Sequence, residues 1–346
     1  MGGYERILGW IITPAFMPRM EPAVTQLCYQ LANGDNYIDI AKDLSVINRR
    51  LYRQGRMYAV QNAQVYFDGA DSGATDGSQQ VRSIMVATIP NTWIVHNAWK
   101  KGFAHWQNQQ KGILESLGGL SSRPRWADFK IAMDAAHVQL DSSSGDQDIS
   151  LDTRAGDFST TIVPDEYKIS KYHWDDDGTE RAPLIHMLGQ VASTQVSYVG
   201  LIENYADSRA QPATSEPTLP ADASDSIYAK LHGTDELTDN IVNDLEGTND
   251  QPPYDADAYP GGASVMTVPH PVAFAAVNVT NPVANTGPFL APCGLLKIVV
   301  DAWHDAQPMV DATGTDLTDL AVSNTRVIVT VAPGPYRGVL SSPMGQ

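Results

Sequence analysis

Short apolar or alternating runs recur along the chain between clusters of turn-forming residues, a texture that predicts strands far more often than helices. Met57–Phe67 (MYAVQNAQVYF) is rich in β-branched and aromatic residues and closes on the turn-prone stretch 68–78. Residues 81–95 read as a second strand, with Pro90 marking an edge or a bulge. Similar runs at 126–133, 160–174, 184–204, 265–279, 294–303 and 325–338 bring the expected number of strands to eight. One segment instead carries the helical period. From Ala98 to Leu117, apolar Trp99, Phe103, Trp106, Ile113, Leu114 and Leu117 recur at spacings of three, four and seven, with Asn97 as candidate N-cap and Gly118–Gly119 as the stop. The expected architecture is therefore all-β, with a helical insertion at 97–119.

Two stretches fall outside this rhythm. Residues 1–36 hold Pro14, Pro18 and Pro22 around the apolar run Ile7–Ile12, which reads as an extended arm that needs a neighbour to pack on. Residues 204–260 carry twelve acidic side chains against Arg209 and Lys230, with six prolines and few aliphatics, and read as a long, solvated surface projection. The remainder, 37–346, is expected to form the β domain around that projection. The whole chain's 42% hydrophobic content supports a substantial core, and its 18% charged content leaves the surface to Ser, Thr, Asn, Gln and Gly, as in turn-rich β proteins.

Charge narrows the function classes. A net charge of −17 disfavours a surface that wraps nucleic acid, and the first 48 residues hold only Arg6, Arg19 and Lys42 as cations. The densest basic patch is Asn48–Arg56 (NRRLYRQGR), in which Arg49, Arg50, Arg53 and Arg56 are candidate phosphate contacts or, equally, inter-subunit ion-pairing groups. Asp175, Asp176, Asp177 and Glu180, beside His173 and Gly178, supply oxygen ligands of the kind calcium takes at a loop or subunit junction, though without EF-hand spacing; ordinary acidic turns have the same composition. Asp146, Asp148 and Asp152 form a similar cluster. The eight histidines are scattered with no ligand spacing, and Cys28 with Cys293 defines neither a disulfide framework nor a metal site. No nucleophile elbow, phosphate-binding loop or dinucleotide fingerprint occurs, so the expectation is a non-enzymatic protein. No run approaches the ~18 apolar residues of a membrane span.

Four blocks carry a family likeness. Tyr37–Arg56 (YIDIAKDLSVINRRLYRQGR), Thr88–Phe103 (TIPNTWIVHNAWKKGF), Trp126–Met133 (WADFKIAM) and Val331–Leu340 (VAPGPYRGVL), about a sixth of the chain, resemble the capsid proteins of small circular single-stranded DNA viruses from aquatic environments. The resemblance implies a jelly roll of two packed four-stranded antiparallel sheets, a major capsid protein that self-assembles into an icosahedral shell around a weakly contacted genome, and residence in the virion. The alternative within that class is a double jelly roll. Outside it stand a receptor- or glycan-binding β protein and a β-rich hydrolase. Unlike many small capsid proteins, this chain has no basic N-terminal arm.

Overall fold

The computed structural model describes residues 22–32, 34–67, 80–116, 127–139, 150–163, 167–176, 178–189, 197–207, 270–278, 281–304, 307–308 and 325–345. Strand residues outnumber helical ones, and the two principal sheets are antiparallel throughout. The first sheet places β1 (Gln26–Gln30) beside β14 (Thr325–Val331) and β14 beside β3 (Arg56–Phe67). The far edge of β3 is taken by β10 (Val283–Asn285) and β11 (Phe289–Ala291), which keep one continuous register along it. β17 (Ser341–Pro343) continues β14's side of β3 beyond the small hairpin of β15 (Pro333–Gly334) and β16 (Gly338–Val339). In the second sheet β2 (Gly34–Asp39) and β13 (Gln307–Pro308) flank β12 (Leu295–His304), followed by β4 (Gln80–Thr88) and β9 (His270–Asn278).

With β10 and β11 counted as one strand position, the eight main strands among the described residues are, in chain order, β1, β2, β3, β4, β9, β10/β11, β12 and β14. The sheets then read first–eighth–third–sixth and second–seventh–fourth–fifth. Both contribute to one apolar core: Leu27, Tyr29, Val60, Val65, Val327 and Val329 from the first meet Ile38, Ile84, Val86, Val277, Leu296 and Ile298 from the second. β14 alternates without a break, Val327, Val329 and Val331 all inward. β3 keeps Tyr58 and Val60 inward together with Ala63, Val65 and Phe67 because the register slips by one residue opposite Thr330/Val331, and this bulge resets the two-residue period.

A second apolar cluster lies around the β4–β9 connection. α2 (Trp93–Ser116) packs Val95, Ala98, Trp99 and Trp106 against Phe129, Ile131, Leu201, Ile202 and Leu295. Smaller pieces complete this layer: α3 (Ala135–Gln139), the hairpin of β5 (Trp174–Asp176) and β6 (Thr179–Arg181), the parallel pair β7 (Leu184–His186) and β8 (Tyr198–Gly200), and α4 (Leu201–Asp207).

Several expectations change. The helix begins at Trp93, not after Asn97; Thr92 is the cap, with the Val95 N–H on its Oγ1 at 3.4 Å, and the preceding strand ends at Thr88 because Pro90 has no N–H for the ladder. Residues 127–133 make no strand; a single bridge joins Ala132 to His186, and the apolar side chains there serve the helix instead. The runs 160–174 and 184–204 resolve into bridges, short strands and α4. Part of the stretch read as an arm, residues 26–30 and 34–36, is sheet, and α1 (Ile40–Asn48) follows directly, capped by Asp39, whose Oδ1 accepts from the Lys42 N–H at 3.0 Å. Residues 208–260 of the acidic projection, like Gly118 and Gly119, lie outside the described residues.

Candidate functional site

The arginine segment is the connection from α1 to β3. Arg49 ends α1 in the left-handed conformation, at φ 53°, with its side chain exposed; Arg50 is half-buried. Beyond them the chain is clamped. The Tyr52 hydroxyl donates to Arg337 O at 2.7 Å, and the Tyr52 N–H donates to Ser45 Oγ at 2.8 Å. Arg53 Nη1 donates to Asp128 Oδ1 and to Ala127 O, each at 3.1 Å. Arg56 commits Nε and Nη2 to Ser341 Oγ and O, both at 2.8 Å, while its guanidinium lies 3.8 Å from the centre of the Tyr336 ring. Arg337 approaches the same ring at 5.8 Å and donates to Leu51 O.

Gln54, fully buried, is the polar centre of this junction. Its Oε1 accepts from the Ile131 N–H at 2.6 Å, its Nε2 donates to Ile131 O at 2.9 Å and to Asp39 Oδ2 at 3.0 Å, and its own N–H reaches Asp128 Oδ2 at 3.0 Å. Tyr167 also donates to Asp39. Burial raises the carboxyls of Asp39 and Asp128 above the usual carboxylate range; hydrogen bonds to Asp39 from Tyr167 and the Lys42 N–H, and to Asp128 from the Gln54 N–H, pull the other way.

Parts of all four blocks singled out in the sequence, 37–56, 88–103, 126–133 and 331–340, therefore meet here. Residues 52–56 hold 127–131 through Asp128 and Ile131, hold the C-terminal block through Tyr336, Arg337 and Ser341, and lie under Trp99, whose ring passes so close to Gly55 that an added Cβ would sit 2.5 Å from it. Of the four candidate phosphate contacts, Arg53 and Arg56 are used within the chain. Arg49 makes no hydrogen bond or ion pair to another described residue and is the group best placed to meet a partner. These partners lie far away in sequence, and no local signal announces them.

The candidate calcium residues fall on the β5–β6 hairpin, where Asp175 pairs directly with Glu180 across the ladder. Glu180 Oε1 lies 3.6 Å from His173 Nδ1. Asp177 and the side chains of Asp175 and Asp176 lie outside the described residues, as do Asp146 and Asp148. Asp152 pairs with the buried Lys42 at 3.4 Å. Among the described residues no group of three or more His, Cys, Asp or Glu side chains is placed to hold a metal ion. Cys28 and Cys293 are both buried free thiols.

A surface feature that sequence reasoning missed is the margin formed by β9, β10 and β11. Phe274 is 75% exposed, and Val283 and Leu290 on the neighbouring strands are also exposed. Among the described residues these strands pair on one side only, β9 with β4 and β10/β11 with β3, and a hollow of about 330 Å³ between Val272, Leu290 and residues 88–92 runs along them. Strand edges with apolar side chains beside them are surfaces that other chains pair with or cover. No helix among the described residues is long and apolar enough to cross a membrane. No protein-family model, curated protein or solved structure matches the chain.

Proposed function

We propose that the protein is a jelly-roll shell subunit that self-assembles into a closed virus capsid. The observation that carries this reading is the strand order: first–eighth–third–sixth in one sheet and second–seventh–fourth–fifth in the other, around one shared core. That is the order produced when two Greek keys wrap a long hairpin into a double-layered roll, an architecture used by viral capsid and lectin domains. Eight main strand positions favour a single roll over a double one. The β2–β3, β4–β9 and β11–β12 connections converge, as the Gln54–Ile131 bonds and the close approach of Gly294 to the Ala41 N–H indicate, so the large insertion sits at one end of the roll.

Fold alone does not distinguish a shell from a lectin. The margin of β9, β10 and β11, with Phe274, Val283 and Leu290 exposed, favours a shell, because an apolar edge of this kind is stable in solution only when a neighbour covers it. Its one-sided placement suits a heterologous contact that closes by rotation into a ring and then a shell. The subunit acts by packing and not by catalysis. Genome contact falls to the exposed Arg49 and is weak, as a net charge of −17 requires.

Negative-stain microscopy of the protein expressed alone, across salt concentrations, tests the proposal. Closed particles of uniform diameter are expected. Monomers or small oligomers under every condition would overturn it.

A further inference from the structure

A second surface, on α2 and α4, has the form of a ligand site. A cavity of about 420 Å³ opens between α2 and α4, with the Trp174 ring at its wall, 44% exposed. The volume lies in the range of small-molecule sites. Tyr172 and Tyr205 add two further aromatic walls, and Lys101, His105 and Asn204 add polar ones.

The walls are held in place from behind. Gln109 grips the backbone of His173 in both directions, donating to its O at 2.8 Å and accepting from its N–H at 3.3 Å, which fixes the strand that carries Trp174 against α2. Tyr172 donates its hydroxyl proton to Gly102 O at 2.9 Å, so its oxygen faces a ligand as an acceptor. Asn204 Nδ2 donates to Gly200 O at 2.7 Å, which orients the amide and leaves Oδ1 as an acceptor. At Gly102 an added Cβ would lie 2.6 Å from the Leu201 Cδ2 and 2.9 Å from the Tyr172 hydroxyl, so a side chain there would displace both from the cavity wall.

The charge pattern identifies the ligand class. In a chain with 40 acidic residues and a net charge of −17, no Asp or Glu among the described residues lines this cavity, and its described ionisable walls are Lys101, His105 and tyrosines. We propose that it binds a carboxylate-bearing sugar unit of a glycan. The apolar C–H face of a pyranose ring stacks on Trp174, its hydroxyls donate to Asn204 Oδ1 and the Tyr172 oxygen, and its carboxylate lies toward Lys101 and His105. The shell reading does not require this site, and the site does not depend on that reading.

Titration of the full chain with sialyllactose, lactose and deoxyadenosine monophosphate, followed by saturation-transfer NMR, tests the assignment, with circular dichroism and negative-stain images as separate readouts of folding and assembly. Sialyllactose is expected to bind at least tenfold more tightly than lactose. Trp174→Ala should weaken it tenfold or more, and Lys101→Glu should remove the preference for the charged sugar, both with unchanged circular dichroism. Equal binding of the two sugars, no sugar binding, or saturation by the nucleotide alone would overturn the proposal. Loss of particles with sugar binding intact would count only against the shell reading.

Discussion

Gln54 is the side chain on which the junction depends, because one neutral amide satisfies both the N–H and the C=O of Ile131 while also donating to buried Asp39. Gln54→Leu would keep roughly the same volume and strand both backbone groups away from water, a loss of about 2–4 kcal/mol. Urea denaturation checks this, and a change below 1 kcal/mol would mean that water takes over the amide's role. His137 sets a second residue-level expectation. Its ring stacks on Tyr37 at 4.1 Å, Nδ1 accepts from the Met133 N–H at 3.0 Å, and burial, helped by Lys42 and Lys297, presses its pKa from 6.5 to about 3. The unfolded chain therefore binds a proton that the folded chain refuses: stability is complete above pH 6.5 and is lost progressively as pH falls toward 3. The cost of this one group between pH 7 and pH 5 is about 2 kcal/mol. His137→Asn retains an acceptor for Met133 and should lower stability at pH 7 yet flatten the acid slope by about that amount relative to the native chain. His186, pressed to about 4 by burial, and the raised carboxyls of Asp39 and Asp128 titrate in both proteins and cancel in that comparison. None of this was readable from the sequence. The arginines stood out as a cluster, but whether a guanidinium meets phosphate or Ser341 depends on contacts that only the folded chain creates.

At the scale of elements, the segments the sequence revealed were those whose own period decides their state. β3, β9, β12 and β14 are long enough for alternation to show, and α2 shows its stripe of Trp99, Phe103 and Trp106, in which Phe103 stacks with both tryptophans and Phe129 meets all three rings at an angle. The misread segments are those whose state is set by their neighbours. α1 is nine residues long and follows a strand with no turn between, so Ile38, Ile40 and Leu44 read equally well as strand or helix; the Asp39 cap decides, and it needs Gln54 and Tyr167 to hold it. Residues 127–133 are apolar because α2 rests on them, not because they pair. The contact between α2 and the arginine segment gives a test at this scale. Gly55 faces the Trp99 ring, and the Cβ of an alanine would lie 2.5 Å from it. Since the indole is wedged between Phe103 and Phe129, it has nowhere to move, and Gly55→Ala should cost about 1–3 kcal/mol by overpacking. Intrinsic tryptophan fluorescence should shift as the helix is displaced. A variant of unchanged stability and spectrum would show that α2 docks loosely on the junction.

For the whole molecule, charge and apolar surface work against each other. On the proposed shell reading each subunit carries a net charge of −17, so approach of two copies is repelled at low ionic strength and eased once the screening length falls to about 8–10 Å near physiological salt. Particle yield should therefore rise with salt, which light scattering would follow. On that reading the same acidity limits the genome's hold, so charge reversal at the exposed Arg49, Arg49→Glu, is expected to lower the nucleic-acid content of particles while leaving their diameter unchanged; unaltered content would end its candidacy as a phosphate contact. The attractive term is the β9 margin. Phe274 stands on the edge strand of the second sheet with three quarters of its surface in water, so it contributes little to the fold and much to any contact that covers it. Burying that ring against a neighbour is worth about 1.5–3 kcal/mol per contact, and a closed shell repeats the contact at every subunit. Phe274→Asp replaces the gain with the cost of desolvating a carboxylate at each copy. The folded variant should keep its stability within about 0.5 kcal/mol, since the side chain is not in the core, and should sediment as monomers or small oligomers under the conditions in which the proposed shell reading expects particles from the native chain. Particles of normal yield from this variant would place the subunit contact on another face.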